Sequence, residues 1–356
     1  MNLRRLIWIV FALLIVSFPR QSITTELGSG ISFRLPISCT PRKNCWIVNY
    51  VDADRSKKAI DYACGYKAYD KHKGTDFAVR DLAVMRRGFE VTVGSAPKQI
   101  DRGVPVVAAA GGVVLGARNG LPDVNFRKIG GVKALKGKDC GNAVRIQHAG
   151  GWVTQYCHMR NKSVQVRRGT RVKAGQWLGF VGLSGRTEFP HLHFQVSRKN
   201  IIVDPFTGLS QGSGCGKSSA SLWNKAALKE LAYRATNIYM GGFTGRDPNA
   251  GGARAGKYHD IKVPRTAASL NLWADIFGLR KDDLLLFEIF APNRTLILAA
   301  KAIIRRTQIR KFFTAKTRRT AKLWLPGSYR GEIRLVRKLA SGDRQVYRLT
   351  RTIRLQ

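Results

Sequence analysis

A chain of 356 residues with 44% hydrophobic and 9% aromatic content is ordinary for a globular fold and long enough for about two domains with sizeable cores. The charge is not ordinary: 62 Lys and Arg against 22 Asp and Glu give a formal net charge of +40, so the chain adheres to polyanions at low salt. Charge alone leaves nucleic acid, anionic lipid, lipopolysaccharide and a carboxylate-rich cell wall all open as that polyanion.

The N-terminus narrows the choice. Met1-Asn2-Leu3-Arg4-Arg5 is a positive stretch, and Leu6 to Val16 is a continuous apolar run closed by Ser17-Phe18-Pro19. This pattern predicts a secretory signal peptide over residues 1–22, with length and flanks unsuited to a stable spanning helix. No small-x-small triplet marks a cleavage site. The alternative is an uncleaved anchor, which would be the chain's one connection to a membrane. Export to the periplasm or cell envelope argues against a specific nucleic-acid role. It also fits six cysteines, an even count that implies disulfides in an exported chain. Six cysteines allow 15 connectivities and the sequence does not choose among them; the favoured set is Cys39–Cys45 around a short loop and Cys140–Cys157 flanking a hairpin, which leaves Cys64–Cys215. No C-x-x-C pair supports a cysteine zinc site.

Residues 23–60 read as an N-terminal extension, with aromatic and β-branched residues between Leu35 and Asp54. From residue 61 short strands alternate with turn signals. Phe77-Ala78-Val79 ends one. Val104 to Gly116 holds two around Gly111-Gly112. Asn142 to His148 alternates as a half-buried strand, and Gly150-Gly151 turns it into Trp152 to Tyr156. Val164–Val166 and Trp177–Val181 read as further strands, and Asn119 to Lys138 as a basic loop. The first domain, residues 61–210, is therefore all-β. Gly208 to Ser219 is rich in Gly and Ser, so residues 211–260 read as a linker with one helix near Leu222–Tyr233. Beyond residue 261 strands are expected at Leu270–Ile276, Leu284–Ala291, Leu296–Ile304, Lys322–Trp324, Gly331–Val336 and Gln345–Ile353. That density suggests a smaller, basic β-sandwich of immunoglobulin type over residues 261–356. Its acid-free Arg305 to Arg319 reads as a solvated face, or as a patch for an anionic envelope polymer.

Chemistry concentrates in Pro190-His191-Leu192-His193-Phe194. Strand side chains alternate, so His191 and His193 share a face roughly 6.5–7 Å apart. Both rings can grip one ion, or one can hold a metal while the other serves the reacting group. His72-x-Gly74-x-Asp76 supplies further donors upstream. A straight strand separates residues four apart by roughly 13 Å, so His72 and Asp76 share an ion only across a bend, which Gly74 permits. His-Glu-x-x-His is absent, and with it an evident glutamate base. His148 reads as a satisfied core residue, His259 as a surface residue, and Ser184 as loop scaffolding rather than a nucleophile.

Taken in order, His72-Lys73-Gly74-Thr75-Asp76, Gly141-Asn142-x-Val144-x-Ile146-x-His148, Tyr156-Cys157-His158, Gly182-Leu183-Ser184-Gly185 and Pro190-His191-Leu192-His193-Phe194 resemble the M23 (LytM/lysostaphin-type) zinc metallopeptidases. The resemblance covers about residues 65–205. It implies an antiparallel M23-type β-domain with His72, Asp76 and His193 as ligands of one Zn2+ per chain. It implies His158 and His191 as the catalytic pair beside the bound water. The implied function is an exported endopeptidase that hydrolyses peptidoglycan cross-links or stems, with peptidoglycan as partner; other anionic envelope polymers are further candidates. Two alternatives stand beside it: a non-catalytic M23-like regulator of other wall hydrolases, and a polyanion- or wall-binding protein. The chain departs from the resemblance at Arg186-Thr187-Glu188-Phe189, where the family commonly carries a small Ser-Thr-Gly run.

Overall fold

The computed structural model describes residues 30–88, 90–93, 96–99, 103–259 and 261–355. The expected signal segment lies outside the described residues. Among the described residues no helix is long and apolar enough to cross a membrane.

Short antiparallel strands dominate. The first part holds β1 (Cys45–Asn49), β2 (Gly74–Val79), β3 (Glu90–Val93), β4 (Ala96–Gln99), β5 (Pro105–Val107), β6 (Gly112–Arg118), β7 (Asn142–Gln147), β8 (Trp152–Met159), β9 (Arg171–Val172), β10 (Trp177–Phe180), β11 (His191–Arg198) and β12 (Ile201–Val203). One sheet runs β1-β2-β11-β8-β7-β6-β9 with β12 on β11, while β5–β10 and β3–β4 pair separately. The expected hairpin forms across Gly150-Gly151, with Gln147 opposite Val153. Val164–Val166 is not a strand: Gln165 donates one backbone bond to Leu178, and no ladder follows.

Side-chain alternation gives this sheet two different faces. Phe77, Val79, Leu192, Phe194 and Val196 point into the first core with Val144, Ile146 and Tyr156. The intervening residues Asp76, Ala78, His191 and His193 therefore lie on the other face. Register sets them side by side, His193 opposite Asp76 and His191 opposite Ala78.

The second part holds β13 (Asn237–Thr244), β14 (Ser269–Leu279), β15 (Leu284–Phe290), β16 (Leu296–Ile303), β17 (Gln308–Arg318), β18 (Gly327–Lys338) and β19 (Arg344–Leu355). They form a sheet β13-β14-β17 and a sheet β16-β15-β18-β19, and both contribute to one core around Leu272, Ile276, Leu285, Ile333 and Leu335.

Several elements differ from the sequence expectation. β13 lies inside the expected linker, and two glycines, Gly241-Gly242, interrupt its side-chain pattern. In fact a Cβ on Gly241 would lie 2.7 Å from the Leu349 side chain and 2.8 Å from the Trp273 carbonyl, so glycine there permits close packing. β17 occupies most of the Arg-rich stretch, its alternation hidden by cations on both faces, and it pairs with β14 from Ser269–Arg318 to Leu279–Gln308. Lys322–Trp324 is not a strand; the Trp324 indole donates to the Ala267 carbonyl at 2.8 Å and plugs the second core. Nor do the expected extension and linker stand apart. Phe33, Ile37, Leu222, Trp223 and Leu231 belong to the first core, and Phe33 exchanges backbone bonds with Leu222 and Asn224. The cause is one of tertiary pairing: isolated apolar residues carry no period, so their role appears only when two distant segments meet. Ile31–Gln356 form one compact unit. The disulfides are Cys39–Cys45, Cys64–Cys215 and Cys140–Cys157, the favoured set among the 15 connectivities that the sequence left open.

Candidate active site

His193 and Asp76 are cross-strand neighbours, and His193 Nδ1 lies 2.8 Å from Asp76 Oδ1. His72 arrives from the loop before β2. Its Nδ1 donates to the Tyr50 carbonyl at 2.6 Å, which leaves Nε2 facing Asp76 Oδ1 at 3.2 Å and His193 Nδ1 at 3.1 Å. Gly74 opens β2 as strand, so the chain departs from a straight strand before it, over His72-Lys73. Just ahead of His72, Lys71 has φ +63°, and Asp52 accepts its N–H at 2.8 Å. Gly74 serves differently. A Cβ there would lie 2.8 Å from the His193 ring and 2.6 Å from the Phe194 carbonyl, so glycine leaves room for the imidazole.

His158 reaches the same face through a backbone irregularity. Val144 pairs with Tyr156 and Asn142 with Met159, so two residues of β8, Cys157 and His158, face the single Ala143 of β7. Such a bulge re-aims a side chain. His158 also has φ +61°, unusual for a residue with a Cβ. Its N–H donates to the Cys140 carbonyl and its Nδ1 to the Ser184 carbonyl, both at 2.8 Å, and the Cys140–Cys157 disulfide closes the neighbouring position. Ser184 is scaffold, as expected: its hydroxyl accepts from Asn142 N–H and donates to the Met159 carbonyl. His191 Nδ1 donates to the Phe189 carbonyl at 2.9 Å. Its Nε2 lies 3.5 Å from Asp76 Oδ1, and its ring centroid 4.7 Å from that of His158. All five expected site residues thus converge. His148 stays apart, its nitrogens on the Gly111 carbonyl and the Thr154 hydroxyl, as a satisfied core residue. His259 is not a free surface residue, because it lies 2.7 Å from Asp81 Oδ2.

Sequence reasoning missed Asn49. Its Nδ2 donates to Asp76 Oδ2 at 2.8 Å and turns the other carboxylate oxygen towards the imidazoles. Asn49 lies in β1 opposite Asp76, and no local motif marks it.

The electrostatics follow from burial and crowding. Burial opposes the charge of Asp76, but His72, His191 and His193 around it hold its carboxyl well below the usual carboxylate range. Burial lowers His72, yet Asp76 outweighs it and the net direction is up. Burial pushes His193 down against the pull of Asp76. Burial, then the neighbouring His191 and His193, push His158 well below the ordinary histidine value, so its ring is neutral at neutral pH.

His72 Nε2, Asp76 Oδ1 and His193 Nδ1 have the character of a metal-binding trio. Their mutual separations of 2.8–3.2 Å approach the roughly 3.3 Å edge of a tetrahedron with metal–ligand bonds near 2.0–2.1 Å. The donor set, two imidazoles and a carboxylate, suits zinc, and each remaining polar atom of the trio that the fold engages faces a partner such as Tyr50 or Asn49.

An antiparallel β-domain with this trio and two further histidines defines a class, and residues 98–205 match the model of peptidase family M23. Over that segment, 108 of the 356 residues, the chain is similar to that family. The matched segment includes His158, His191 and His193; His72 and Asp76 lie upstream of it. Among similar proteins, the Cell division protein DipM of Caulobacter vibrioides is 35% identical over 103 residues, 29% of this chain and 14% of that protein. The Peptidoglycan DD-endopeptidase ShyC of Vibrio cholerae is 32% identical over 106 residues, 30% of this chain and 22% of that protein. The alignments thus span less than a quarter of these relatives. The catalytic domain of lysostaphin from Staphylococcus simulans is 24% identical, with 38% of this chain and 76% of that chain covered and a TM-score of 0.23.

Proposed function

We propose that the chain is an exported zinc endopeptidase that hydrolyses peptide bonds in peptidoglycan cross-links or stems. The carrying observation is the convergence of His72, Asp76, His193, His158 and His191 on one sheet face. His72, Asp76 and His193 would hold one Zn2+. That ion supplies Lewis acidity, which acidifies water and polarises a scissile carbonyl. The chain's own residues do the rest. His158 and His191 each spend Nδ1 on a backbone carbonyl, of Ser184 and Phe189 respectively, which fixes both rings with Nε2 open to the site. His158, kept neutral by its surroundings, accepts the proton of the attacking water and returns it to the leaving amine. His191 is the second catalytic histidine, its Nε2 facing the site beside the developing oxyanion. The N-terminal pattern supports export to the envelope, and the net charge of +40 supports retention on an anionic wall. We read the C-terminal pair of sheets as a sandwich module of immunoglobulin type whose first strand is β13.

The test is digestion of defined cross-linked muropeptides, read by mass spectrometry with and without chelator. The full chain cleaves them and chelator stops cleavage. His193→Ala loses bound zinc and activity together; full activity in that variant would falsify the assignment. A clean protein that binds no zinc and cleaves nothing would favour the regulator.

A further inference from the structure

The sheet face that carries the site does not end at the site. Trp46, Val48 and Ala78 continue it, and the β13-β14-β17 sheet covers them through Tyr239, Met240, Trp273 and Phe277. Trp46 meets Tyr239 edge-on with centroids 5.7 Å apart. Phe189 sits at the junction. One side of its ring stacks on His191, with centroids 4.7 Å apart and planes at 29°. It also meets Phe277 of β14 at 5.5 Å. The Arg310 guanidinium of β17 lies over Phe189 at 5.4 Å, Tyr239 at 5.1 Å and Phe277 at 5.0 Å. Arg310 is itself held: Nη2 and Nε donate to Asp275 Oδ2 at 2.8 and 3.0 Å, and Asp275 is fully buried. Tyr239 and Arg254 donate to that same carboxylate oxygen, both at 2.8 Å.

Phe189 therefore restrains His191 twice, with its carbonyl on Nδ1 and its ring on the imidazole face. The Thr187 hydroxyl donates to that carbonyl at 2.8 Å and fixes it. The same hydroxyl lies 3.1 Å from His191 Nδ1, so both polar contacts meet one ring nitrogen. An imidazole held only at one nitrogen can still pivot about it, whereas a stacked ring removes that freedom. The stacked ring is in turn clamped by a cation and an aromatic from a sheet more than 80 residues later in the chain. We propose that Phe189 and Arg310 are positioning residues for His191, and that the β13-β14-β17 sheet is a working wall of the active site rather than a detachable targeting module. This rests on the reading of His191 as a catalytic residue. The segment concerned, Arg186–Phe189, is where the chain departs from a run of small residues, so the clamp belongs to this chain's own sequence.

Two readouts on the zinc-loaded full chain test it. The first is the ring-proton signal of His191 in histidine-labelled protein, assigned with His191→Gln. Stacking on Phe189 shifts that signal upfield. The shift is lost in Phe189→Leu, which keeps apolar bulk, and reduced in Arg310→Ala; Phe189→Tyr and Arg310→Lys restore it. The second is kinetics on a cross-linked muropeptide. Phe189→Leu and Arg310→Ala lower kcat by ~10-fold or more, towards the roughly 100-fold cost of a catalytic group misplaced by about 1 Å, with KM within about twofold and zinc content unchanged. An unmoved His191 signal in both disruptive variants overturns the positioning role, whether or not the chain cleaves. A moved signal with unchanged kcat overturns it as well. A wild-type chain that cleaves nothing counts against the peptidase reading, and the signal alone then decides the clamp.

Discussion

Gly74 illustrates how a residue's reason can differ from its first reading. Sequence spacing demands a bend between His72 and Asp76, and glycine is the natural hinge. The fold departs from strand before Gly74, over His72-Lys73, and uses Gly74 for the space beside the His193 ring. Gly74→Ala is therefore expected to disturb both the metal trio and the β2–β11 pairing, since its Cβ meets the His193 ring and the Phe194 backbone carbonyl. Zinc affinity falls roughly 10–100-fold, the usual cost of displacing a ligand's support, and the thermal midpoint falls with it. Titration with a competing chelator checks this; wild-type affinity would refute it. Asp204 carries a second residue-scale expectation. Burial, aided by the charge of Asp61, pushes its carboxyl up to about 7, against the bond it accepts from Phe206 N–H. The folded state thus holds a proton that the unfolded chain releases near pH 4. Asp204 contributes stability that is full below about pH 4 and lost as pH rises through about 7, to an extent of up to roughly 4 kcal/mol. Asp204→Asn should flatten the fall in thermal midpoint between those limits; an unchanged slope would show that burial of Asp204 is not its cause.

At the scale of elements, the face a side chain takes is set by pairing. Period-two alternation is enough to put His191 and His193 on one side of β11. It places Cys157 opposite His193 but would send the next residue, His158, to the other side. The bulge at Cys157–His158 reverses that, and the Cys140–Cys157 disulfide with the bond from His158 N–H to the Cys140 carbonyl holds it. A Cys140→Ser, Cys157→Ser double variant loses a cross-link closing a loop of about 17 residues, worth about 3 kcal/mol in the chain-entropy account. It should melt earlier and lose kcat while retaining zinc, because the trio is held by other elements. Unchanged kcat at a temperature where the variant is folded would show that the disulfide supports stability alone.

The whole molecule joins two cores that would each leave a face bare. Trp46, Val48 and Ala78 are buried only because the C-terminal sheet lies on them, and Asn237 Nδ2 and Lys67 Nζ each donate to the Ile47 carbonyl at the same seam. A chain ending after residue 235 would expose that apolar face beside the active site. It is expected to aggregate or to be far less active than the full chain, measured by size-exclusion chromatography and muropeptide digestion. A soluble, fully active truncation would instead favour a detachable C-terminal part. The net charge belongs to this scale too, as a property of the surface rather than of the fold.

The all-β character, the order of the donor motifs and the shared face of the two strand histidines were legible in the chain itself, since each follows from local period, spacing or turn chemistry. The disulfide pairs formed are the favoured ones, but six cysteines allow 15 connectivities and only the fold chose among them. Less legible were β13 and β17, where paired glycines and two-sided cations mask alternation. Asn49 left no trace, for its importance comes from lying opposite Asp76 after folding. The sequence by itself determined which groups were available and which residues shared a face, because a backbone's period is local. Only the tertiary structure decided which side His158 takes, what room Gly74 makes and which distant ring leans on His191. Those depend on bulges, register and the packing of segments that no local pattern brings together.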